Sequence, residues 1–149
     1  MKNAINFVIA YGMWIVDNLL TFWLAFLIRT DFLGVLSLFY KKEQWQYPRQ
    51  VNFADKVLIL LLGLSWIAYV ISMEEYFREG VLKENLMKRF SKITGPILLA
   101  IFVFDLTLYG LQGFGNWLRW LILAGELALG ISLLATYLTK YSTSTPGHK

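Results

Sequence analysis

Three carboxylic acids stand inside long apolar stretches of this chain: Asp17 within residues 4–28, Asp105 within residues 93–111 and Glu126 within residues 117–138. A carboxyl group removed from water has three chemical outlets. It takes a proton and hydrogen-bonds to a neighbouring helix as interhelical glue. It faces a basic or polar group supplied by another chain. Or it binds and releases a proton or a cation, as acids do in pumps and transporters. Tyr109 and Gln112 follow Asp105 at i+4 and i+7, so the three line one stripe of a helix. Asn18 and Thr21 are the polar neighbours of Asp17. No Lys or Arg falls at the same depth; Arg119, two turns before Glu126 on the same helix face, is nearest and is expected to extend its head to the membrane interface. Asp17, Asp105, Glu126, Tyr109 and Gln112 are therefore the candidate proton, ion or subunit-contact residues. Counted from the side that carries the termini, each acid lies about 18–20 Å along its helix, which predicts one acidic layer near mid-membrane.

Other chemistry finds no footing. The chain has no cysteine, and its single histidine is the penultimate residue, His148. Thiolate chemistry and a histidine-held haem or zinc inside the helices are thus excluded for the chain alone. No phosphate loop, zinc-protease helix or nucleophile elbow is present, so no catalytic and no metal-binding residue is assigned. No cofactor is predicted. The aromatic content of 17% leaves room for a bound lipid, quinone or pigment, although tryptophan and tyrosine belts at membrane interfaces account for most of it.

The elements that must position these acids are long and greasy. Of 149 residues 57% are hydrophobic and only 16% charged, against about a quarter charged in soluble domains. Four stretches reach membrane-spanning length: residues 4–28, 57–76, 93–111 and 117–138. The expected fold is an all-α membrane protein, a four-transmembrane-helix bundle forming one domain over residues 1–139, with a polar tail at 140–149. The first stretch has a basic Lys2 before it but contains Asp17 and Asn18 and no small-residue cleavage site, so it reads as a retained helix, not a signal peptide. Between the first two spans, residues 32–40 are apolar but too short to cross, and a basic, aromatic run follows. This predicts a short interfacial helix in the first loop. The second loop reads as a solvated connector; the alternative is that the second helix continues past a break at Gly80 as a short amphipathic segment, because Glu79 with Lys83 and Glu84 with Lys88 are spaced for helical ion pairs. Pro96 is expected in the first turn of the third helix, and Gly113 and Gly115 in the turn that follows it.

Two stripes of small residues predict close helix packing: Ser65, Ala68 and Ser72 on the second span, and Ala124, Ala128 and Ser132 on the fourth, with Glu126 on the opposite side. Four spans put both termini and the second loop on one side. That side holds eight Lys and Arg residues and the other six, which favours cytoplasmic termini. The net charge of +4 is expected to meet phospholipid headgroups, not nucleic acid. The expected function is that of a non-catalytic small integral subunit that stabilises or positions a larger membrane complex, such as an energy-converting one, with other integral membrane subunits as partners. The alternative is a small proton- or cation-coupled transporter using the intramembrane carboxylates.

Overall fold

The structure, a computed structural model, describes residues 2–39, 49–112 and 117–141. They form four α-helices: α1 (Lys2–Phe39), α2 (Arg49–Leu82), α3 (Leu86–Gln112) and α4 (Trp117–Tyr141). All four are long and apolar enough to cross a membrane, which fits a multi-pass helix bundle. The sequence between 40 and 48, the Gly113 and Gly115 turn and residues 142–149 lie outside the described residues.

The helices pack in the order α2, α1, α3, α4, with α2 also touching α3. Among the described residues, the α4 backbone meets α3 alone. The buried surface is correspondingly thin: Ala10 and Leu27 on α1, Phe77 and Val81 on α2, Leu98 and Ile101 on α3, Leu123 on α4. Large apolar side chains such as Leu60, Ile71, Leu121 and Leu129 stand exposed, the pattern of helices whose outer faces meet hydrocarbon.

Three expectations change. Residues 32–39 do not form a separate surface helix; α1 runs on through them to Phe39. At 38 residues it is about 57 Å long, far beyond a hydrocarbon core of about 30 Å. The charges at 29 and 31 find partners or burial against the neighbouring helices, Arg29 staying partly exposed. Arg29 forms a two-point ion pair with Asp55 of α2 (Nε to Oδ1 2.8 Å, Nη2 to Oδ2 2.9 Å), and Asp31 is buried. Second, α2 passes Gly80 without a break. A Cβ at Gly80 would lie 3.1 Å from Arg89 Cδ, so the glycine makes room for the arginine. Arg89 donates to the Tyr76 carbonyl and to Glu79 Oε2 (3.1 Å) while covering the Tyr76 ring at 4.5 Å. Third, Pro96 sits in the interior of α3, since the helix begins at Leu86. Having no N–H, it leaves the Lys92 carbonyl without its helical donor.

The α2–α3 connection is a tight helix stop. Asn85 N donates to Gly80 O (3.0 Å) and Glu84 N to Val81 O (3.3 Å), the paired bonds of a Schellman motif. The motif needs a left-handed residue, and here it is Glu84, at φ 51°. A side chain in that conformation costs about 1–2 kcal/mol, a penalty glycine escapes. Of the two expected ion pairs, Lys83 to Glu79 forms at 2.8 Å. We expect Glu84→Gly to raise stability by about 1 kcal/mol, read as a higher midpoint in thermal unfolding in detergent; an unchanged or lower midpoint would mean that the Glu84 side chain makes a compensating contact.

Candidate functional site

The acids set between the helices fall into two layers. The first is centred on Asp17, which is fully buried. Its carboxylate accepts hydrogen bonds from the Tyr69 hydroxyl of α2 and from Thr94 Oγ1 of α3 (3.0 Å). One α1 side chain thus ties two other helices. Asn18 and Thr21, the expected partners of Asp17, instead bond to backbone carbonyls of α1: Asn18 Nδ2 to Trp14 O (2.8 Å), Thr21 Oγ1 to Asp17 O (3.0 Å). Two tryptophans lace the same α1–α2 seam in opposite directions. Trp14 Nε1 donates to Val70 O (3.2 Å) and Trp66 Nε1 to Asn18 O (3.4 Å).

The second layer holds Asp105 and Glu126, and it is not the layer of Asp17. Thr94, the partner of Asp17, and Asp105 are eleven residues apart on α3, or about 16 Å of helix. The expected single acidic layer is therefore split. Asp105 and Glu126 do come together: their carboxyls lie within hydrogen-bond reach of each other across the α3–α4 contact. The acid of α1 at this level is Asp31, which sequence reasoning placed in a loop. Asp31 is 6% exposed and within electrostatic reach of Asp105. The available signal was its spacing. Asp31 follows Asp17 by fourteen residues, close to four helical turns, and therefore continues the same face of α1.

Arg119 belongs to this layer as well. It interacts electrostatically with Asp105, and its guanidinium covers the Tyr109 ring at 4.8 Å. The expectation that it leaves for the interface misses this contact, because an aromatic face holds a guanidinium within reach of its neighbours. Tyr109 is buried, one turn beyond Asp105. The side chain of Gln112, the third member of the expected stripe, lies outside the described residues.

Several acceptors in the second layer have no hydrogen-bond donor. Both carboxylate oxygens of Asp31 and Oε2 of Glu126 are buried without one among the described residues. Arg29, the other nearby base, is already held by Asp55. No three described His, Cys, Asp or Glu residues are arranged to share a metal ion.

The two small-residue stripes occupy neither layer. Ser65, Ala68 and Ser72 of α2 and Ala124, Ala128 and Ser132 of α4 are all exposed. Close approach within the chain uses glycines instead. A Cβ on Gly95 would stand 3.2 Å from Leu134 N, and one on Gly130 would stand 2.9 Å from Leu99 Cδ2. This contact turns Leu123 and Glu126 toward α3 and leaves the alanine stripe on the outside.

An apolar groove of about 270 Å³ runs between α1 and α2, walled by Phe22, Phe26, Ile59 and Trp66, and Arg29 stands at its edge. Compared with models of protein families, with curated proteins and with solved structures, the chain matches none.

Proposed function

We propose that this chain is a small, non-catalytic integral membrane subunit that stabilises or positions a larger membrane complex. The observation that carries the reading is the direction of the small-residue stripes. Ser65, Ala68 and Ser72, and likewise Ala124, Ala128 and Ser132, face outward from α2 and α4, the two outer helices. A small side chain facing lipid gains nothing, whereas against another helix it allows the close backbone approach on which membrane-helix packing depends. Among the described residues the α4 backbone meets α3 alone, which leaves much of its circumference open for such a partner.

In this arrangement the acids are intramembrane carboxylates, with the Asp17 layer nearer the termini and the Asp31, Asp105 and Glu126 layer nearer the opposite surface. The excess of basic residues on the terminal side favours a cytoplasmic location for both termini. The distal end of α1, residues 32–39, projects toward the headgroups, where an apolar helix end can lie against lipid or a neighbouring subunit.

The test is extraction in mild detergent followed by native mass analysis. The chain is expected in an assembly of fixed stoichiometry with larger membrane proteins. Ala128→Leu and Ala68→Leu, which add bulk to exposed positions, should deplete it from that assembly at least several-fold while leaving its helicity intact. Recovery of the wild-type chain alone or only with copies of itself would overturn the reading.

A further inference from the structure

Two carboxyl groups within hydrogen-bond reach of each other cannot both be anions in that geometry. One must carry a proton and donate it to the other. Asp105 and Glu126 are such a pair. Their surroundings do not supply enough positive charge to replace that proton. From α1 the layer receives Asp31 and Arg29. From α2 it receives Asp55, which occupies Arg29 in the two-point pair. From α3 come Asp105 and Tyr109, and from α4 Glu126 and Arg119. With Arg29 and Asp55 cancelling, the described residues of this layer leave three acids and one guanidinium, that of Arg119, which interacts with Asp105.

Asp31 marks the site independently of the pair. It comes from a third helix, it is more than nine-tenths buried, and both its oxygens lack a donor among the described residues while it faces Asp105 electrostatically. A buried carboxylate left without any donor costs far more than one that is paired or protonated. A metal ion is not the ligand that fits, because no three described acids are set to share one. What fits is the smallest cation.

We propose that Asp31, which is buried, and Asp105 and Glu126, which are half-buried, form a proton-binding site between the helices, with the resident proton shared in the Asp105–Glu126 pair and Asp31 as a further acceptor. Binding forms one O–H bond on a carboxylate oxygen and release breaks it. The electron pair stays on the oxygen, so no oxidant, reductant or co-reactant is required. Arg119, set over Tyr109, balances part of the charge that remains when the site is ionised. The proposal does not depend on the subunit reading, since a proton site serves a subunit of a proton-handling assembly and a self-contained transporter alike.

The test is infrared spectroscopy of the full chain in lipid nanodiscs, together with proton counting by titration against a pH-indicator dye. At neutral pH the wild type should show the carbonyl stretch of a protonated carboxyl, shifted in heavy water. Asp105→Asn combined with Glu126→Gln should abolish the part of that band assigned to the pair and lower the proton count by one per chain. Asp17→Asn, which alters the other layer, should retain it. The amide variants keep hydrogen-bonding shape, and a wild-type circular dichroism spectrum and elution volume qualify them for the comparison. If the double variant fails that criterion, Asp31→Asn takes its place; it should change the pH at which the band disappears. A wild type with no such band, or variants that fold and leave band and proton count unchanged, would overturn the proposal.

Discussion

Replacing Asp17 with alanine lowers the free energy of unfolding by about 2–3 kcal/mol. The loss follows from the hydrogen bonds removed. Asp17 accepts from Tyr69 on α2 and Thr94 on α3, and hydrogen bonds between membrane helices are worth roughly 0.6 kcal/mol on average and up to about 1.7. Two such bonds span about 1–3 kcal/mol. The upper part of that range applies here because the site is closed. Asp17 has no exposed surface and Thr94 only 2%, so the Thr94 hydroxyl loses its acceptor where water does not replace it, while Tyr69 is half-buried. Asp17→Asn should cost less than alanine, since an amide oxygen still accepts one hydroxyl and its N–H₂ can donate to the other. The measurement is reversible unfolding in mixed lipid and denaturing detergent, run as a double-mutant cycle with Tyr69→Phe. A coupling of about 1 kcal/mol between the two positions is expected. A wild-type midpoint for Asp17→Ala, or simple additivity with Tyr69→Phe, would remove Asp17 as the tie between α1 and its two neighbours.

That prediction rests on partners that periodicity does not name. The four helices follow from four apolar runs, and Asp17, Asp105 and Glu126 stand out because a charge inside such a run is expensive. What a linear reading lacks is the partner. Arg29 and Asp31 look like the end of a membrane span, because isolated charges belong at the interface. With Asp55 against Arg29 and with Asp31 turned into the helix contact, α1 continues to Phe39. The same blindness put Asp17 and Asp105 in one layer. The apolar run of the third span begins at residue 93, whereas α3 begins at Leu86. The earlier start moves Pro96 into the helix interior and sets Thr94, not Asp105, opposite Asp17.

The small residues were legible as packing residues, but the surface they pack against was not. Alanine and serine stripes advertise closeness, and glycine permits more of it. Gly95 and Gly130 therefore determine the α3–α4 contact, and with it the meeting of Asp105 and Glu126. The stripes are left on the outer faces, which is why they count toward a partner outside the chain.

Gly95→Val separates α4 from α3. A Cβ at position 95 stands 3.2 Å from the backbone nitrogen of Leu134 and 3.5 Å from the Gly130 carbonyl oxygen. Backbone cannot rotate aside as a side-chain tip can, so the helices themselves must part. Overpacking of this kind costs about 1–3 kcal/mol in a tight core, and a branched side chain belongs at the upper end. In a helix held from two sides the strain would spread. Here α4 has no second backbone contact among the described residues, so it yields as a rigid body. Spin labels read the movement directly, because the chain has no cysteine of its own. With labels at the exposed positions Val16 on α1 and Ala128 on α4, the distance distribution in Gly95→Val should widen and shift by several ångströms. Gly125→Ala is the internal control. It lies on the same helix with nothing within 4 Å of the added Cβ, and it should leave the distances unchanged while stabilising the helix by about 0.5–1 kcal/mol. If Gly95→Val keeps the wild-type distances and stability, glycine contact is not what seats α4. If the distances change, the carbonyl band of the Asp105–Glu126 pair should fall with them, because the two acids reach each other only while the α3 and α4 backbones touch.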